Sequence, residues 1–471
     1  MTETLQPSTQ PGDAGYRPEM TILDLGDAFF DPVAAAEFPR HVLRFRNRRA
    51  AASVGLDGLD EPKWLAHFGG FEPLPGSLET PLALRYHGHQ FRQYNPYIGD
   101  GRGFLFAQLR DRESRLLDLG TKGSGRTPYS RFGDGRLTLK GGVREVLATE
   151  MLEALGVETS KSFSLIETGE ALERGDEPSP TRSAVLVRLS HGHIRIGTFQ
   201  RLAALGERDN MRKLIAYCLT NFFGEKPGEN APARLLGHVV RGGAALAASY
   251  MAAGFVHGVL NSDNIAITTE SFDYGPWRFT PRWEPGFTAA YFDHAGLYAF
   301  ARQAEAIHWD IAQLAASLRL IEEAEPLISL IEGFGQLYRQ ALRAKMLSRL
   351  DVASRGAPSD LALLGAIETA LRDSEVTIDR FFFDWRGGAR RAPSPADEQY
   401  RNDGFGDVAA KLGPYAGEPP RHAYWSDEAP CSMHIDEVEA IWAAIDEADD
   451  WSRFDAKIAA IRRMGEAMRV G

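Results

Sequence analysis

Two short runs, residues 257–264 and 273–275, carry the polar groups with the most specific spacing in this 471-residue chain. The first reads His-Gly-Val-Leu-Asn-Ser-Asp-Asn and the second reads Asp-Tyr-Gly. In phosphoryl-transfer enzymes of the kinase type, an Asp follows a His by two residues, an Asn lies five residues further on, and an Asp-Phe-Gly triplet comes next. His257, Asn264 and Asp273 keep that spacing. The two runs therefore predict a loop that handles the phosphates of a nucleotide.

The position that should hold the proton-accepting Asp is Val259 in this chain. A valine cannot accept a hydroxyl proton, and Asp263 is the nearest carboxylate that could replace it as a base. The oxygens of Asn264 and Asp273 could still hold Mg²⁺ against a triphosphate, because a hard cation prefers oxygen ligands. The alternative is a polar turn after a helix, in which the Asn and Asp side chains only cap the backbone.

A lysine and a glutamate lie upstream, in the order that a kinase-type site needs. Lys122 ends a predicted strand, where its ammonium could meet phosphate oxygens, and Glu145 lies in a predicted helix, where it could orient that lysine. Taken singly, each is more often a solvated surface charge. Their order relative to the 257–264 loop favours the functional interpretation.

Glycine-rich runs with arginines supply a third element. Gly99-Asp-Gly-Arg-Gly103 comes just before a predicted strand, and Gly133-Asp-Gly-Arg136 follows Lys122. Glycines let backbone N–H groups approach phosphates closely, and an arginine such as Arg102 suits phosphate oxygens. Tight turns use the same residues, so a glycine cluster alone does not establish a phosphate site.

Two further arginines, Arg188 and Arg195, flank His191-Gly-His193 and could bind the charged end of ATP. The alternative is that they keep a strand end soluble. His87-Gly-His89 and His191-Gly-His193 have a spacing compatible with metal ligands, but without a cysteine set or an HExxH helix zinc is not favoured. The P-loop consensus and the Gly-x-Ser-x-Gly nucleophile elbow are both absent from the sequence.

Composition limits the protein classes. With 44% hydrophobic and 25% charged residues the chain is globular, and 53 basic against 64 acidic residues argue against a uniformly basic nucleic-acid binder. Its two cysteines, Cys218 and Cys431, argue against a disulfide scaffold. We find no signal-peptide pattern and no convincing membrane span, so we expect a cytoplasmic protein without membrane partners.

Hydrophobic patterning predicts the elements that position these groups. Residues 104–109 and 115–119 read as a hairpin, residues 143–155 as a helix and residues 183–189 as a strand. Beyond about residue 200 the pattern is helical, with clear helices expected at 210–223, 236–253 and 308–321. Residues 386–430 are polar and rich in Pro and Gly, which predicts a long loop, and a final helical stretch begins near Ile435.

Strands followed by helices predict an α+β protein with a sheet-rich small lobe and a helical large lobe. We expect a disordered tail over 1–20, then an N-terminal extension and the sheet-rich lobe with the phosphate-binding elements over 21–200. The helical lobe with the catalytic and metal-binding loops should follow over 201–385. A polar loop and a helical extension should complete the chain over 386–471.

Taken together, the motifs resemble the selenoprotein O family. The matching segments run in order from about residue 80 to 320, and Phe30-Asp-Pro-Val33 and Leu43-Arg-Phe-Arg-Asn47 extend the resemblance upstream. The matching segments between residues 80 and 320 are Tyr86-His-Gly-His-Gln-Phe91, Gly99-Asp-Gly-Arg102, Leu119-Gly-Thr-Lys-Gly-Ser-Gly125, Thr127-Pro-Tyr-Ser-Arg-Phe-Gly-Asp-Gly-Arg136, Val143-Arg-Glu145, His193-Ile-Arg-Ile-Gly197, the 257–264 loop and Ile267 through Pro276.

Members of that family are pseudokinases that act as protein adenylyltransferases. The resemblance implies a protein-kinase-like fold that binds ATP in an inverted orientation, with Lys122 on the phosphates and paired with Glu145. It also implies that Asn264 and Asp273 bind the metal and that Asp263 is the proton acceptor. The positions that it implies for nucleotide contacts are Gly99, Gly101, Arg102, Lys122, Asp134, Gly135, Arg188, Arg195 and Asp273.

The expected activity is transfer of AMP from ATP to Ser, Thr or Tyr hydroxyls of target proteins, with Mg²⁺ or Mn²⁺ and release of pyrophosphate. UMP transfer from UTP is a variant of this reaction among bacterial relatives. The partners are then the nucleotide and protein substrates, and a monomer is favoured. The alternatives are a kinase that transfers the γ-phosphate, against which Val259 argues, and a non-catalytic nucleotide-binding scaffold.

The chain departs from the family pattern in three places. Gln200 stands where a Glu is usual, and the C-terminal family segment is hard to recognise around Pro430–Ile435. No cysteine lies near the C-terminus, where the family often carries selenocysteine or cysteine. The first departure bears little on catalysis, and the other two argue against a redox switch built from a terminal thiol.

Overall fold

In a computed structural model of the protein, which describes residues 15–175 and 177–470, most strands lie before residue 191 and most helices after it. The strands are β1 (Pro18–Glu19), β2 (Phe30–Pro32), β3 (Val42–Arg46), β4 (Leu82–Leu84), β5 (Gly88–Gln90), β6 (Gln93–Asn95), β7 (Leu105–Arg110), β8 (Leu116–Lys122), β9 (Leu137–Thr138), β10 (Lys161–Leu172), β11 (Thr181–Ser190), β12 (Phe255–Val256) and β13 (Arg278–Phe279).

The helices follow the same division of the chain. They are α1 (Arg48–Ser53), α2 (Glu61–Phe68), α3 (Leu139–Ala154), α4 (Ile196–Leu205), α5 (Arg208–Phe223), α6 (Ala231–Ala253), α7 (Gln303–Leu318), α8 (Ala324–Glu332), α9 (Phe334–Leu350), α10 (Ala357–Arg372), α11 (Ile378–Asp384), α12 (Asp403–Leu412), α13 (Ile435–Ala448) and α14 (Ser452–Arg469). This arrangement confirms the α+β class, with a sheet-rich first part and a helical second part.

A nine-stranded antiparallel sheet organises the first part, with the path β2-β4-β7-β8-β11-β10-β3 and with β1 and β9 paired to β7 and β11. The predicted hairpin is its β7–β8 centre. Its turn forms because the Asp111 carboxylate accepts hydrogen bonds from the backbone N–H groups of Glu113 (3.0 Å) and Arg115 (2.9 Å), which closes the connection locally. The hairpin ends with Lys122, the last residue of β8, which lies between β7 and β11.

Helix α3 packs across one face of the sheet and begins four residues before the predicted start at Val143. The Thr138 hydroxyl caps it by accepting from the Gly141 N–H at 3.1 Å. Gly142 lies against β10, where an added Cβ would come within 2.4 Å of the Leu165 side chain. The two glycines weaken the helical pattern in the sequence, yet one of them is what lets the helix approach the sheet.

The helical second part agrees with the predicted helices within a few residues at α5, α6 and α7. One hydrophobic cluster runs continuously from the sheet through α3 into α5, α6 and α7, so the two parts share a core. None of the helices in the described ranges is long and apolar enough to cross a membrane.

The long loop predicted for residues 386–430 is wrong in part, because α12 lies inside it. Asn402 caps this helix by accepting from the Phe405 N–H at 3.0 Å, and Phe405, Val408 and Leu412 form its buried stripe. The polar and Pro-rich residues on either side mask that stripe in the sequence.

Helices α13 and α14 confirm the helical stretch predicted from Ile435, and both lie against α3. Glu439 of α13 pairs with Lys140 at 2.7 Å, and Arg462 of α14 pairs with the buried Glu150 at 2.8 Å. The C-terminal region therefore packs on the helix that carries Glu145.

Of the tail predicted over residues 1–20, residues 1–14 lie outside the described residues. For its last part the prediction is wrong, because Tyr16 is buried and β1 pairs with Gln108 and Leu109 of β7. Cys218 and Cys431 are both free thiols. Burial raises the pKa of each of them, to about 11 for Cys431.

Candidate active site

A cavity of about 700 Å³ opens between the sheet and the helical part. Its wall combines the end of β8, the glycine-rich runs 99–103 and 129–136, and the segments that contain Asp263 and Asp273. The sequence motifs that are separated by more than 100 residues therefore meet at one place.

Lys122 occupies the centre of this site. It is the last residue of β8, opposite Leu186 of β11, and only 4% of its surface is exposed. Its Nζ donates to Glu145 of α3 and also lies 2.8 Å from Asp273 Oδ1. A strand lysine, a helix glutamate and the Asp of an Asp-x-Gly triplet in contact form the arrangement of an assembled kinase-type site.

Asp273 is held at the cavity in a left-handed backbone conformation, with φ at 64°. Burial alone would raise the pKa of its carboxyl, but the positive charges of Lys122 and of the surrounding arginines, Arg188 first among them, hold that pKa well below its usual value. The Arg188 guanidinium is 3.7 Å away. Asp273 is therefore a permanent carboxylate that faces the cavity.

Arg188 and Arg195 form the cationic floor of the cavity, each with 5% of its surface exposed. The Arg195 guanidinium lies over the Tyr86 ring (4.5 Å) and over the Phe272 ring (4.9 Å). Within the described ranges, Arg188 Nε and Nη1 and Arg195 Nε are buried and have no hydrogen-bond partner. Since buried donors are nearly always paired, these groups are suited to an anionic ligand.

Asp263 faces the same cavity from a single 3₁₀ turn, Ser262–Asn264. Its carbonyl accepts from Arg195 Nη1 at 2.9 Å, whereas its carboxylate Oδ1 is buried without a hydrogen-bond partner in the described part of the chain. Burial raises the pKa of this carboxyl to about 6, against the opposing charge of Arg195. A carboxylate in this state is a stronger base than one in water.

A small hairpin, β5–β6, fixes the turn that carries Asp263. The His89 N–H donates to Ser262 Oγ (2.7 Å), and that hydroxyl donates to Gln200 Oε1 (2.6 Å). Gln200 Nε2 in turn lies 2.6 Å from His89 Nδ1, so the hairpin, α4 and the turn are joined in one ring of hydrogen bonds. Gln200, the departure from the family pattern, thus has two partners that a neutral amide can satisfy.

Gly88 of this hairpin lies directly against Asp263. A Cβ added there would come within 2.9 Å of both Asp263 Cβ and Oδ1. We therefore expect Gly88→Ala to displace the carboxylate and to lower kcat about tenfold or more, because catalytic geometry tolerates shifts of well under an ångström. Steady-state assays of the wild type and of Gly88→Ala would measure this loss of kcat.

The matched control for that variant is Gly417→Ala, since nothing lies within 4 Å of a Cβ added at Gly417. It should leave kcat unchanged. Equal kcat values for Gly88→Ala and the wild type, with both folded, would contradict the close contact between the hairpin and Asp263.

Most of the predicted site residues line the cavity. They are Gly99, Gly101, Arg102, Lys122, Asp134, Gly135, Arg188, Arg195, Asp263 and Asp273. Glu145 lies behind Lys122 instead. Asn264 does not line the cavity, and its amide Nδ2 donates to the Val259 carbonyl at 3.2 Å.

Several wall residues were missed by reasoning from the sequence: Gln90, Tyr129, Arg131, Phe132, Glu173 and Arg174. Arg174 comes from the β10–β11 connection and pairs with Asp134 at 2.8 Å. Nothing in the sequence around it signals a site, because only the pairing of β10 with β11 brings that connection to the cavity mouth.

Histidines of both His-Gly-His motifs contact other side chains of the protein. His87 Nδ1 lies 2.6 Å from the Tyr94 hydroxyl, and His193 Nδ1 lies 3.5 Å from Asp118. In the described ranges no group of three or more His, Cys, Asp or Glu side chains could hold a metal ion by itself.

A metal ion would thus need ligands from the nucleotide as well as from the protein. Asp273 and Asp263 offer carboxylate oxygens at the cavity, and Asp263 Oδ1 is left unpaired there. Asn264 could add its amide oxygen. Few protein oxygens combined with substrate phosphates are typical of Mg²⁺, and Mn²⁺ accepts the same ligands, so the residues fit either ion.

Comparisons with known proteins converge on one group. A sequence model of the family described as "Protein adenylyltransferase SelO" matches residues 13–399. Proteins named "Protein nucleotidyltransferase YdiU" from Gloeobacter violaceus and Synechococcus elongatus are 42% and 46% identical, covering 94% and 80% of this chain and 95% and 76% of those proteins.

Among solved structures, the chain is similar to ROP2 from Toxoplasma gondii, described as a virulence factor with a protein-kinase fold and no enzymatic activity. The match covers 63% of this chain and 85% of that one, with 13% identity and a TM-score of 0.27. At those values the likeness carries no weight for the activity.

Proposed function

Because the chain belongs to the SelO family of protein adenylyltransferases and is thus a protein nucleotidyltransferase, we propose that it transfers AMP from ATP to the hydroxyl of a Ser, Thr or Tyr side chain in another protein. Pyrophosphate is the second product, and UTP is the alternative donor. The reaction uses the cavity around Lys122, with Mg²⁺ or Mn²⁺ bound to the nucleotide.

The observation that carries the proposal is the cationic floor formed by Arg188 and Arg195, which is only partly satisfied by Asp273, Asp100 and the Asp263 carbonyl. In the described ranges Arg188 Nε and Nη1 and Arg195 Nε are buried without a hydrogen-bond partner, and Lys122 lines the same cavity. A triphosphate that enters with its β- and γ-phosphates first satisfies these donors and leaves its nucleoside toward the mouth. The α-phosphorus is then the reacting atom near Asp263 and Asp273.

In the proposed reaction, the acceptor hydroxyl gives its proton to the Asp263 carboxylate as its oxygen attacks the α-phosphorus. A new oxygen–phosphorus bond forms, and the bond between the α-phosphorus and the oxygen bridging to the β-phosphate breaks. Pyrophosphate leaves with that electron pair, and the charge that develops on it faces Arg188, Arg195 and Lys122. The pKa of about 6 suits Asp263 to this role near neutral pH.

A bound Mg²⁺ or Mn²⁺ would neutralise charge on the phosphate oxygens, and Asp273 and Asn264 are the residues we assign to hold it. Asp273 also holds Lys122 in place at the cavity, and Glu145 does so from α3. Val259 needs no carboxylate under this proposal, because proton removal occurs at Asp263.

Labelled nucleotides separate this activity from a kinase reaction. The protein would be incubated with Mg²⁺ or Mn²⁺ and casein as a generic acceptor, using ATP labelled at either the α- or the γ-phosphate. We expect casein to take up label from the α position alone, with one pyrophosphate released per label.

Two other outcomes of that experiment, and a parallel incubation with UTP, would change the assignment. Label from the γ position alone would establish a kinase reaction despite Val259. No label from either position, with ATP binding confirmed by equilibrium dialysis, would contradict transfer to casein and favour a nucleotide-binding scaffold. In a parallel incubation with UTP labelled at the α-phosphate, label on casein from UTP but not from ATP would identify UMP as the transferred group.

A further inference from the structure

Exposed aromatic side chains are concentrated around the candidate active site. In the described part of the chain, the Phe and Tyr side chains with exposed surface are Phe91, Tyr94, Tyr97, Phe132, Tyr291 and Phe292. Phe132 lines the cavity, Phe91 and Tyr97 are next in sequence to the wall residues Gln90 and Ile98, and Phe292 packs on Phe91. Large aromatic groups that cluster on a surface in this way mark an interaction site more often than chance exposure.

Three of these residues, Phe91, Tyr291 and Phe292, form one continuous patch, which we call the aromatic patch. The Phe91 and Phe292 rings are 5.8 Å apart, and the Tyr291 and Phe292 rings are 5.1 Å apart. Tyr291 is the most open of the three, with 80% of its surface exposed.

The aromatic patch is attached directly to the loop that carries Asp263. The Phe91 N–H donates to Asn261 Oδ1 at 3.0 Å, and the Tyr298 hydroxyl donates to the same oxygen at 2.6 Å. The Phe91 ring also packs on Tyr298, at 5.2 Å between centroids. Asn261, two residues before the proposed base, thus holds Phe91 of the patch and the Tyr298 ring on which Phe91 packs.

We propose that the aromatic patch is the docking surface for the acceptor protein, and that it binds a large apolar side chain near the modified hydroxyl. This inference rests on the proposed function, since it assumes that the hydroxyl reaches Asp263. Asn261 lies at most about 7 Å along the chain from Asp263, and an extended peptide advances about 3.3 Å per residue. That distance corresponds to about two residues, and the rings lie beyond Asn261, so the apolar side chain lies about two to four residues from the acceptor hydroxyl.

The charges beside the aromatic patch favour an apolar group over a charged one. Arg92 already pairs with Glu305 at 2.8 Å. The Asp293 carboxylate is occupied by the backbone N–H groups of Leu297 and Tyr298, each at 2.8 Å. With these charges engaged, binding at the patch depends on burial of the rings themselves, which is where aromatic side chains contribute most.

A peptide series tests the proposal. Peptides of Ala, Gly and Lys with a single Ser, Thr or Tyr acceptor would carry one Phe, or Ala in its place, at each position from four before to four after the acceptor. With ATP labelled at the α-phosphate, we expect Phe at one position two to four residues from the acceptor to raise kcat/KM about tenfold over Ala. In the double variant Tyr291→Ala/Phe292→Ala this ratio should fall to about one.

Leu361→Ala is the matched control, because Leu361 is an exposed apolar residue of α10 and should keep the tenfold ratio. Equal labelling of the Phe and Ala peptides, or an undiminished ratio in the double variant, would overturn the docking surface while leaving the transferase proposal intact. Label on casein with none on any peptide would likewise overturn it. If neither casein nor peptides took up label, the proposed function itself would fail.

A second copy of the chain is the other occupant to exclude. Sedimentation velocity across a range of protein concentrations would show a dimer if the aromatic patch bound its own copy. A dimer that dissociates in Tyr291→Ala/Phe292→Ala but not in Leu361→Ala would replace the acceptor with self-association. We expect the same sedimentation coefficient for all three proteins.

Discussion

Replacing Asp273 with alanine should lower nucleotidyl transfer about a hundred- to a thousandfold, which is the usual cost of losing one group that stabilises charge in the transition state. The carboxylate contacts Lys122 at 2.8 Å, and we assign it to the metal ion as well. Its depressed pKa means that the charge is present at every working pH. Loss of this one residue therefore removes a lysine partner and a metal ligand together.

Asp273→Asn distinguishes charge from shape in this position. The amide has nearly the same size but no charge, so we expect a loss close to that of the alanine variant. Asp397→Ala is the control, because Asp397 pairs with Arg390 on the surface and its removal should leave transfer unchanged. A folded Asp273→Ala protein that transferred label from α-labelled ATP at the wild-type rate would refute the site.

Replacing Asp263 with asparagine should lower kcat about a hundred- to ten-thousandfold, which is the range attributed to a general base. The amide keeps the size of the side chain but cannot take the proton of the acceptor hydroxyl. ATP affinity should change little, since the proposed phosphate contacts come from Lys122, Arg188 and Arg195. Single-turnover transfer and equilibrium dialysis with ATP would measure the two quantities separately.

The melting temperature of Asp263→Asn provides an independent test of the role of Asp263. Burial disfavours the ionised Asp263 carboxyl, as its pKa of about 6 indicates, so at pH 7 the wild-type side chain destabilises the fold. Asp263→Asn should then melt at the same temperature as the wild type or higher. A lower melting temperature together with lost ATP binding would mean that Asp263 serves the fold rather than the reaction.

Local elements follow from the sequence where one pattern dominates. The β7–β8 hairpin is recognisable because its strands are apolar and Asp111 marks the turn. The first turn of α3 is not, since Gly141 and Gly142 oppose a helix and the close approach to Leu165 explains only Gly142. Helix α12 is hidden in the same way, because its three buried residues lie within polar surroundings.

The candidate site likewise contains features that can be predicted from the sequence and features that cannot. The order of Lys122, Glu145 and Asp273 is readable because the chemistry demands those residue types in that sequence. The contacts of Arg195 with the Tyr86 and Phe272 rings cannot be predicted from the sequence, since those residues lie 109 and 77 positions away from Arg195. Such contacts depend on how the sheet and helices pack, and no local pattern encodes them.

The packing of α13 and α14 against α3 bears on how this protein is controlled. Many kinase-type proteins are silenced when the helix with the conserved glutamate swings away and breaks its lysine pair. Here Lys140 and Glu150 tie that helix to two further helices, and the swing would have to carry both of them along. We therefore expect the lysine–glutamate pair to separate only if α13 and α14 move together with α3.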